Sequence, residues 1–382
     1  MILKEKILIV NNNLQIGGIQ KSLINLLNAT KNHYDITLLL FSDYGELYAQ
    51  IPNGIHVILA DKRLQVLGTP WVYLKSDILA VFYKIVSYGI NRFFGKKRAL
   101  KYLFRRQSIV TGFDHIISFS HCTNQNNLSV CTPEFVLECT EGRDKICFIH
   151  CDYKNSDTFS LYNNGIYGRF DKIACCSKSV MERFLSCAPD LREKTYVVEN
   201  FYDMNIPVLA KEDSIKYNAH EISIVIVARL SYEKGVLRAI KALKNSNRCD
   251  IKLFIVGDGP EKNAILEYLE SNHVKDKVCL LGEQRNPYRF MSNADYLLVP
   301  SYHEAAPMVF DEAKILGVSI ISTDTTSAIE MVGNKGFVIE NSDEALCEMF
   351  KQLEKTDVME TSRIDNYQKN LMWEEMLNGK TK

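Results

Sequence analysis

The stretch "ISIVIVARLSYEKGVLRAIKALKNSNRCDIKLFIVG", residues 222–257, decides the fold. It opens on a near-continuous apolar run, turns through "ARLSYEKG", carries apolar residues at helical spacing in "VLRAIKAL", and returns to the apolar run "IKLFIV". An apolar strand followed by a helix and a second apolar strand is the unit of a parallel sheet covered on both faces. The pattern continues downstream. "KVCLLG", "DYLLVPS", "VSIIST" and "GFVI" read as strands, and helices start near Glu233, Pro260, Pro287, Pro307 and Thr326. Proline at three of these starts suits a first helical turn, where its missing N–H would be unpaired anyway.

Upstream, "KILIVNNN", "YDITLLLF", "IHVILA", "DHIISFS", "KICFIH", "DKIACCS" and "KTYVVEN" give a second series of short strands. Helical segments separate them, including "IQKSLINLLNAT" and a long helical region over about 72–107. The polar, irregular segment 201–218 reads as a linker, and "NYQKNLMWEEMLNGK" reads as a terminal helix. The expected fold class is therefore α/β, with two doubly wound domains in tandem facing a central cleft. Their boundaries are 1–200, a linker at 201–218, 219–365 and a final helix at 366–382.

The chain has 382 residues, enough for two cores. Lysine plus arginine equals aspartate plus glutamate at 46 each, so the net charge is zero, which argues against a general nucleic-acid binder. The opening "MILKEKILIV" is strand-like rather than signal-like, and no run of eighteen apolar residues occurs, so a cytoplasmic protein without a membrane span is expected. Eleven cysteines without a CxxC pair read as reduced, mostly buried thiols. His121 with Cys122, and Cys147, His150 and Cys151, fit the spacing of no zinc module.

In open parallel sheets, ligands bind beyond the carboxyl ends of the strands, where loops lead into helices. In "SYHEAAPMVFDEAKILG", residues 301–317, Glu304 precedes a helix that starts near Pro307, and Glu312 lies inside it. The first-turn N–H groups of Met308 to Phe310 favour an anion such as a diphosphate. Two carboxylates flanking that point suit the hydroxyls of two sugars, although two exposed acids on a helix would give the same spacing. Arg229 at a strand end, with Lys234 and Gly235 opening the next helix, makes a phosphate clamp or a solvated basic turn. "VGDGPE" adds Gly257 and Gly259 but lacks the third glycine of a dinucleotide fingerprint. Gly17 and Gly18 precede a helix, where bare backbone admits a ligand or makes a plain loop. His150 ends a strand, with Asp152 two residues on, and reads as either a site residue or a satisfied structural histidine.

Taken in order, GG, H, RLxxEKG, VGDGPE and E-x7-E resemble glycosyltransferase family 4, of GT-B fold, from about residue 5 to the end and most strongly over 222–340. The likeness is greatest to enzymes of bacterial capsule and surface-polysaccharide assembly. It implies a metal-independent retaining hexosyltransferase that needs no cofactor besides its nucleotide-sugar donor. Arg229 and Lys234 would hold the diphosphate, Glu312 the ribose, and Glu304 the donor sugar. Ala306, Pro307, Met308 and Val309 would support sugar and phosphate, and Gln284, Arg285 and Asn286 would border the base. Gly257 would lie on the donor side. Gly17 and Gly18 would meet phosphate or acceptor from the first, acceptor-side domain, and His150 would lie near the sugar. The last helix would cross back to that domain. UDP is the expected nucleotide as the commonest donor in such pathways, and a glycan or lipid-linked oligosaccharide is the expected acceptor. Many members have Gly-Phe-Gly after the first glutamate, where this chain has Ala305, Ala306 and Pro307, which leaves the sugar open. A non-catalytic nucleotide-sugar-binding protein of the same fold is the alternative, and a nicotinamide oxidoreductase is disfavoured by the incomplete fingerprint.

Residues 78–113 contain Lys84, Arg92, Lys96, Lys97, Arg98, Lys101, Arg105 and Arg106, and no acid. Phe82, Tyr83, Tyr88, Phe93, Phe94, Tyr102 and Phe104 interleave. Such a stretch suits docking on an anionic membrane surface, here the inner face of the plasma membrane, or a solvated helix face covering the core.

Overall fold

The computed structural model describes residues 4–74, 77–124, 127–356 and 365–379. The chain forms two compact units, residues 1–201 with 366–382, and residues 202–365. Each is a parallel sheet flanked by helices, as the alternating apolar runs require.

The first unit contains β1 (Lys6–Asn11), β2 (Asp35–Leu40), β3 (His56–Leu59), β4 (Val110–Ser118), β5 (Thr140–Ile149), β6 (Lys172–Cys175) and β7 (Thr195–Val197), in the order β3-β2-β1-β4-β5-β6-β7. The second contains β8 (Ile222–Val227), β9 (Ile251–Val256), β10 (Val278–Gly282), β11 (Tyr296–Val299), β12 (Ser319–Thr323) and β13 (Gly336–Ile339), in the order β10-β9-β8-β11-β12-β13. Both sheets reverse direction of growth beside their first strand, between β1 and β4 and between β8 and β11. A doubly wound sheet opens its ligand crevice at such a point. In the second unit the loops leaving β8 and β11 carry Arg229, Lys234 and Glu304.

The helix Tyr367–Asn378 packs into the core of the first unit. Trp373, Met376 and Leu377 join Ile7, Ile9, Leu23, Leu38 and Phe148 in one cluster, and Trp373 is fully buried. The Lys172 ammonium donates to the Leu377 carbonyl at 2.6 Å and to Asp144 at 2.6 Å, which satisfies a carbonyl near the helix end.

Segment 201–218 differs from the linker expected. It contains the short helix Ile206–Leu209, and Ile206 and Ala210 are buried with Leu297, Phe310 and Ile315 of the second unit. Polar neighbours masked these apolar positions in the sequence. The long helical region resolves into Trp71–Leu74, Ile78–Phe94 and Lys96–Phe104. Gly95, at φ 83, marks the break between the last two, a conformation that favours glycine. Among the described residues, no helix is long and apolar enough to cross a membrane.

Because the last helix fills the first unit's core, Trp373→Ala should cost about 3–5 kcal/mol. Chemical denaturation followed by far-ultraviolet circular dichroism measures this, and a midpoint equal to wild type would contradict the packing role.

Candidate active site

The loop after β8 and the loop after β11 are fastened to each other. Gly235 adopts φ 64, and a Cβ there would overlap the Pro300 carbonyl, so the position accepts only glycine without rearrangement. Arg238, on the helix Val236–Ser246, is buried. Its guanidinium donates to the carbonyls of Pro300 (2.8 Å) and Ser301 (2.9 Å) and to Asn341 Oδ1 (2.8 Å). It also lies 3.8 Å from the Tyr302 ring centroid, and the Tyr232 ring stacks on Tyr302 at 4.8 Å and 10°. The Tyr302 N–H donates to the Glu233 carbonyl at 2.9 Å. A buried cation is tolerated only when its donors are paired, and here three acceptors and a ring face do so.

This fastening brings Lys234 to Glu304. The ammonium donates to Glu304 Oε1 at 2.5 Å, and Ser301 Oγ donates to the same oxygen at 3.1 Å. Lys234 is 28% exposed and Glu304 13%, so the pair is partly sheltered and still reachable. The two residues were expected to serve phosphate and sugar separately. In the structure they pair with each other, because Gly235 lets the two loops touch. Arg229 is exposed, and its side chain has no hydrogen bond or ion pair among the described residues. Burial would push the Glu233 carboxyl up, but the Ser231 hydroxyl, its own backbone N–H, Lys234 and Arg229 hold it below the usual range.

The helix beyond Glu304 runs Met308–Leu316. Pro307 is its N-cap with extended backbone, so the proline precedes the first helical residue instead of occupying it. Phe310 N–H was expected to be free but donates to the Pro307 carbonyl at 3.2 Å. The N–H groups of Met308 and Val309 have no backbone acceptor among the described residues, which leaves two donors at the positive end of the helix dipole. Glu312 is 4% exposed, which excludes the solvated acid that spacing alone allowed. Ala306 and Pro307 are partly exposed beside Glu304.

Other expected residues have mainly local roles in the structure. A Cβ at Gly257 would collide with the Ala228 carbonyl, and one at Gly259 with the Leu230 carbonyl, so these glycines permit close passage of the loops after β9 and β8. Gln284 donates to the Leu281 carbonyl (2.7 Å), and Asn286 donates to the Leu209 carbonyl (2.7 Å), while Arg285 is exposed.

Residues 210–370 match the family described as glycosyl transferases group 1. The match spans nearly all of the second unit, residues 202–365. The amylovoran biosynthesis glycosyltransferase AmsD of Erwinia amylovora is 27% identical over 220 residues, covering 55% of this chain and 61% of that one. The capsular polysaccharide biosynthesis glycosyltransferase CapM of Staphylococcus aureus is 28% identical over 167 residues, covering 39% of this chain and 43% of that one. The chain thus spans less than two thirds of either relative. Among solved structures, Anabaena HepE in complex with UDP and glucose is 18% identical, with a TM-score of 0.67, and the match covers 98% of this chain and 99% of that one. The chain has the two-domain GT-B fold.

In the first unit, the candidates lie beyond the ends of β1 and β5. Gly17 caps the helix Gly18–Thr30 in extended conformation at φ −179, which any residue adopts. A Cβ at Gly18 would meet nothing within 4 Å, so neither packing nor backbone angle demands glycine there. What remains is a bare helix start that a ligand can approach. His150 stacks on Phe148 (5.5 Å, 16°) and lies tilted against Phe119 (4.9 Å, 48°). Burial and then the neighbouring His121 push its pKa down to about 3. Its Nε2 is enclosed and has no hydrogen-bond partner among the described residues. His150 is therefore a neutral imidazole at neutral pH. Asp152 accepts from the Asn155 N–H and side-chain amide, a turn-forming role.

The pairing of His121 with Cys151 escaped the sequence reading, which considered them only as metal ligands. Burial would raise the Cys151 thiol, but His121 and the Ser156 and Thr158 hydroxyls bring it below its usual value. Burial would lower His121, and Cys151 raises it. Arg238 was also missed, since an arginine inside "VLRAIKAL" reads as a solvated helix position.

Arg238→Met should lose about 3–5 kcal/mol of stability, because the Pro300 and Ser301 carbonyls and Asn341 lose their donor. Thermal and chemical denaturation measure this, and unchanged stability would contradict the fastening. Separately, a histidine held neutral destabilises the fold in acid: the unfolded chain binds the proton and the folded one does not. Between pH 6.5 and 5.5 this removes about 1 kcal/mol, and the loss should vanish in His150→Gln. Equal acid sensitivity of the two proteins in chemical denaturation would contradict the neutral state.

Proposed function

We propose that this chain is a glycosyltransferase of surface-polysaccharide synthesis. It moves a hexose from a nucleotide-sugar, with UDP as the nucleotide, to a glycan acceptor carried on a lipid, with retention at the anomeric carbon and without a bound metal. The observation that carries this reading is the grouping in the second unit of Lys234, Glu304 and the two unpaired N–H groups of Met308 and Val309, at the point where strand order reverses.

The chemistry follows from where charge develops. As the bond from the anomeric carbon to the diphosphate breaks, negative charge collects on the phosphate oxygens. Lys234, Arg229 and the first-turn amides of the Met308–Leu316 helix supply fixed positive charge and donors for it, the task a divalent cation performs elsewhere. Diphosphate and Glu304 compete for Lys234, so donor binding frees a Glu304 oxygen to accept from sugar hydroxyls. Glu312, four residues after Met308 on the same helical face, is the candidate for the ribose hydroxyls. Gln284, Arg285 and Asn286 are the candidates for the base edge. From the first unit, the Gly17–Gly18 helix start would take phosphate or acceptor. The neutral His150 would offer Nε2 to a sugar hydroxyl as acceptor.

The relatives support the reaction class: AmsD and CapM are named for amylovoran and capsular polysaccharide biosynthesis, and HepE was solved with UDP and glucose. A Campylobacter jejuni relative, 27% identical over 174 residues, is named for transfer to a diphospho-undecaprenol-linked sugar, which supports the lipid-linked acceptor.

UDP should raise the thermal midpoint, whereas NAD should leave it unchanged, since only a ligand of the native state shifts the equilibrium. Lys234→Ala should lower turnover by about 10²–10³-fold with the wild-type midpoint retained. Release of free nucleotide from a panel of nucleotide-sugars provides the assay. A midpoint shift with NAD alone, or full turnover in Lys234→Ala, would overturn the reading.

A further inference from the structure

The helix Ile78–Phe94 leaves an apolar face uncovered. Ile78, Leu79, Phe82 and Ile85 fall on one side of it at helical spacing and are all exposed, Ile78 at 82%. Phe93 and Phe94 continue the exposure at its end, Phe93 at 80%. The short helix Trp71–Leu74 adds Trp71, Val72 and Tyr73, also exposed. Seventeen residues of helix make this face about 25 Å long. A contiguous apolar surface of this size on a folded protein marks an interaction site.

The charges around it differ from those read in the sequence. Lys84 is buried and donates to the Thr69 carbonyl at 2.6 Å beneath the Trp71 ring, and Lys96 is buried in an ion pair with Glu134 at 2.7 Å. Neither faces outward. Tyr83, Tyr88, Tyr102 and Phe104 are largely covered. Arg92, Lys97, Arg98 and Lys101 remain exposed on the Ile78–Phe94 and Lys96–Phe104 helices, as do Arg105 and Arg106 in the turn after them, and residues 78–113 contain no acid. The segment therefore carries a strip of bare aliphatic and aromatic side chains together with six exposed cations, of which Arg98 lies 5.5 Å from the Phe94 ring.

We propose that the Trp71–Leu74 and Ile78–Phe94 helices insert their apolar face below the headgroups of an anionic bilayer, while the cations of Arg92 and the Lys96–Phe104 helix region rest at phosphate level. Charge complementarity selects this occupant. A second copy of the chain would bring six like charges against six, and a soluble acidic protein would leave the apolar strip to find its own complement. A fluid bilayer with anionic headgroups satisfies both parts at once. The inference deepens the reading of a lipid-linked acceptor by naming where the chain meets the lipid, and it rests on that reading for its purpose but not for its test.

The chain contains two tryptophans, Trp71 on the exposed strip and Trp373 in the core, so fluorescence reports insertion without labelling. The test mixes the full chain with vesicles of phosphatidylcholine and phosphatidylglycerol in equal parts, or of phosphatidylcholine alone, at low and high salt. Binding is read by sedimentation, and depth by quenching with bromine-labelled acyl chains. Wild type should sediment with the anionic vesicles, lose only part of that binding at high salt, and show Trp71 quenching. Ile78→Asp with Phe82→Asp should weaken binding by at least about tenfold at both salts. Lys97→Glu, Arg98→Glu and Lys101→Glu together should weaken it by about fivefold per cation at low salt and little at high salt. Both variants should keep the wild-type thermal midpoint and its response to UDP. No sedimentation with anionic vesicles, or binding without quenching of Trp71, would overturn the inference. So would a solution dimer that the Ile78→Asp, Phe82→Asp variant dissociates, because the strip would then be covered by a second copy. Vesicle binding by a chain that UDP does not stabilise would leave the surface standing and remove the nucleotide-sugar reading instead.

Discussion

The close passage of Gly235 beneath the Pro300 carbonyl governs the geometry of the second unit's candidate site. Two loops separated by 65 residues, each leaving a strand beside the reversal of sheet order, are brought into backbone contact there. The guanidinium of Arg238 then bonds two successive carbonyls of the second loop, and Tyr302 and Tyr232 stack above it. With the loops so joined, Lys234 and Glu304 have little choice but to meet. A flexible lysine and a loop glutamate lose side-chain freedom when they pair, and a sheltered position with a supporting Ser301 hydroxyl offsets that loss. The result is a cation held against a sheltered carboxylate and still 28% exposed.

The sequence carried the architecture because buried parallel strands leave an unambiguous signature. Runs such as "ISIVIV" and "IKLFIV" are apolar on both faces and too short for buried helices. It carried the location of the candidate residues for a related reason: strand-end loops are where a doubly wound sheet opens. It did not carry contacts that depend on the third dimension. Nothing local in "VLRAIKAL" distinguishes Arg238 from a solvated arginine, and nothing local says that Lys234 will reach Glu304. Nothing local shows that Gly257 passes against Ala228, because a close backbone approach to a ligand and one to a neighbouring loop demand the same residue. The helix Ile206–Leu209 was hidden by its length, since four residues carry no periodicity.

Charge shows the same division between what a total conveys and what placement conveys. A net charge of zero describes neither the six exposed cations on and just after the Ile78–Phe94 and Lys96–Phe104 helices nor the buried ion pair with Glu134 that removes Lys96 from the surface. Burial also divides the histidines. His150, enclosed by Phe119 and Phe148, is held neutral, whereas His121 beside Cys151 is shifted the other way. Residue type supplied the candidates, and environment assigned their protonation.

We propose that a diphosphate seats against the first turn of the Met308–Leu316 helix. A crystal structure of the chain soaked with UDP tests it most directly. The account predicts phosphate oxygens accepting from the Met308 and Val309 N–H groups, with the Lys234 ammonium turned from Glu304 toward them. Clear density for UDP away from that helix start, with the Lys234–Glu304 pair undisturbed, would contradict it.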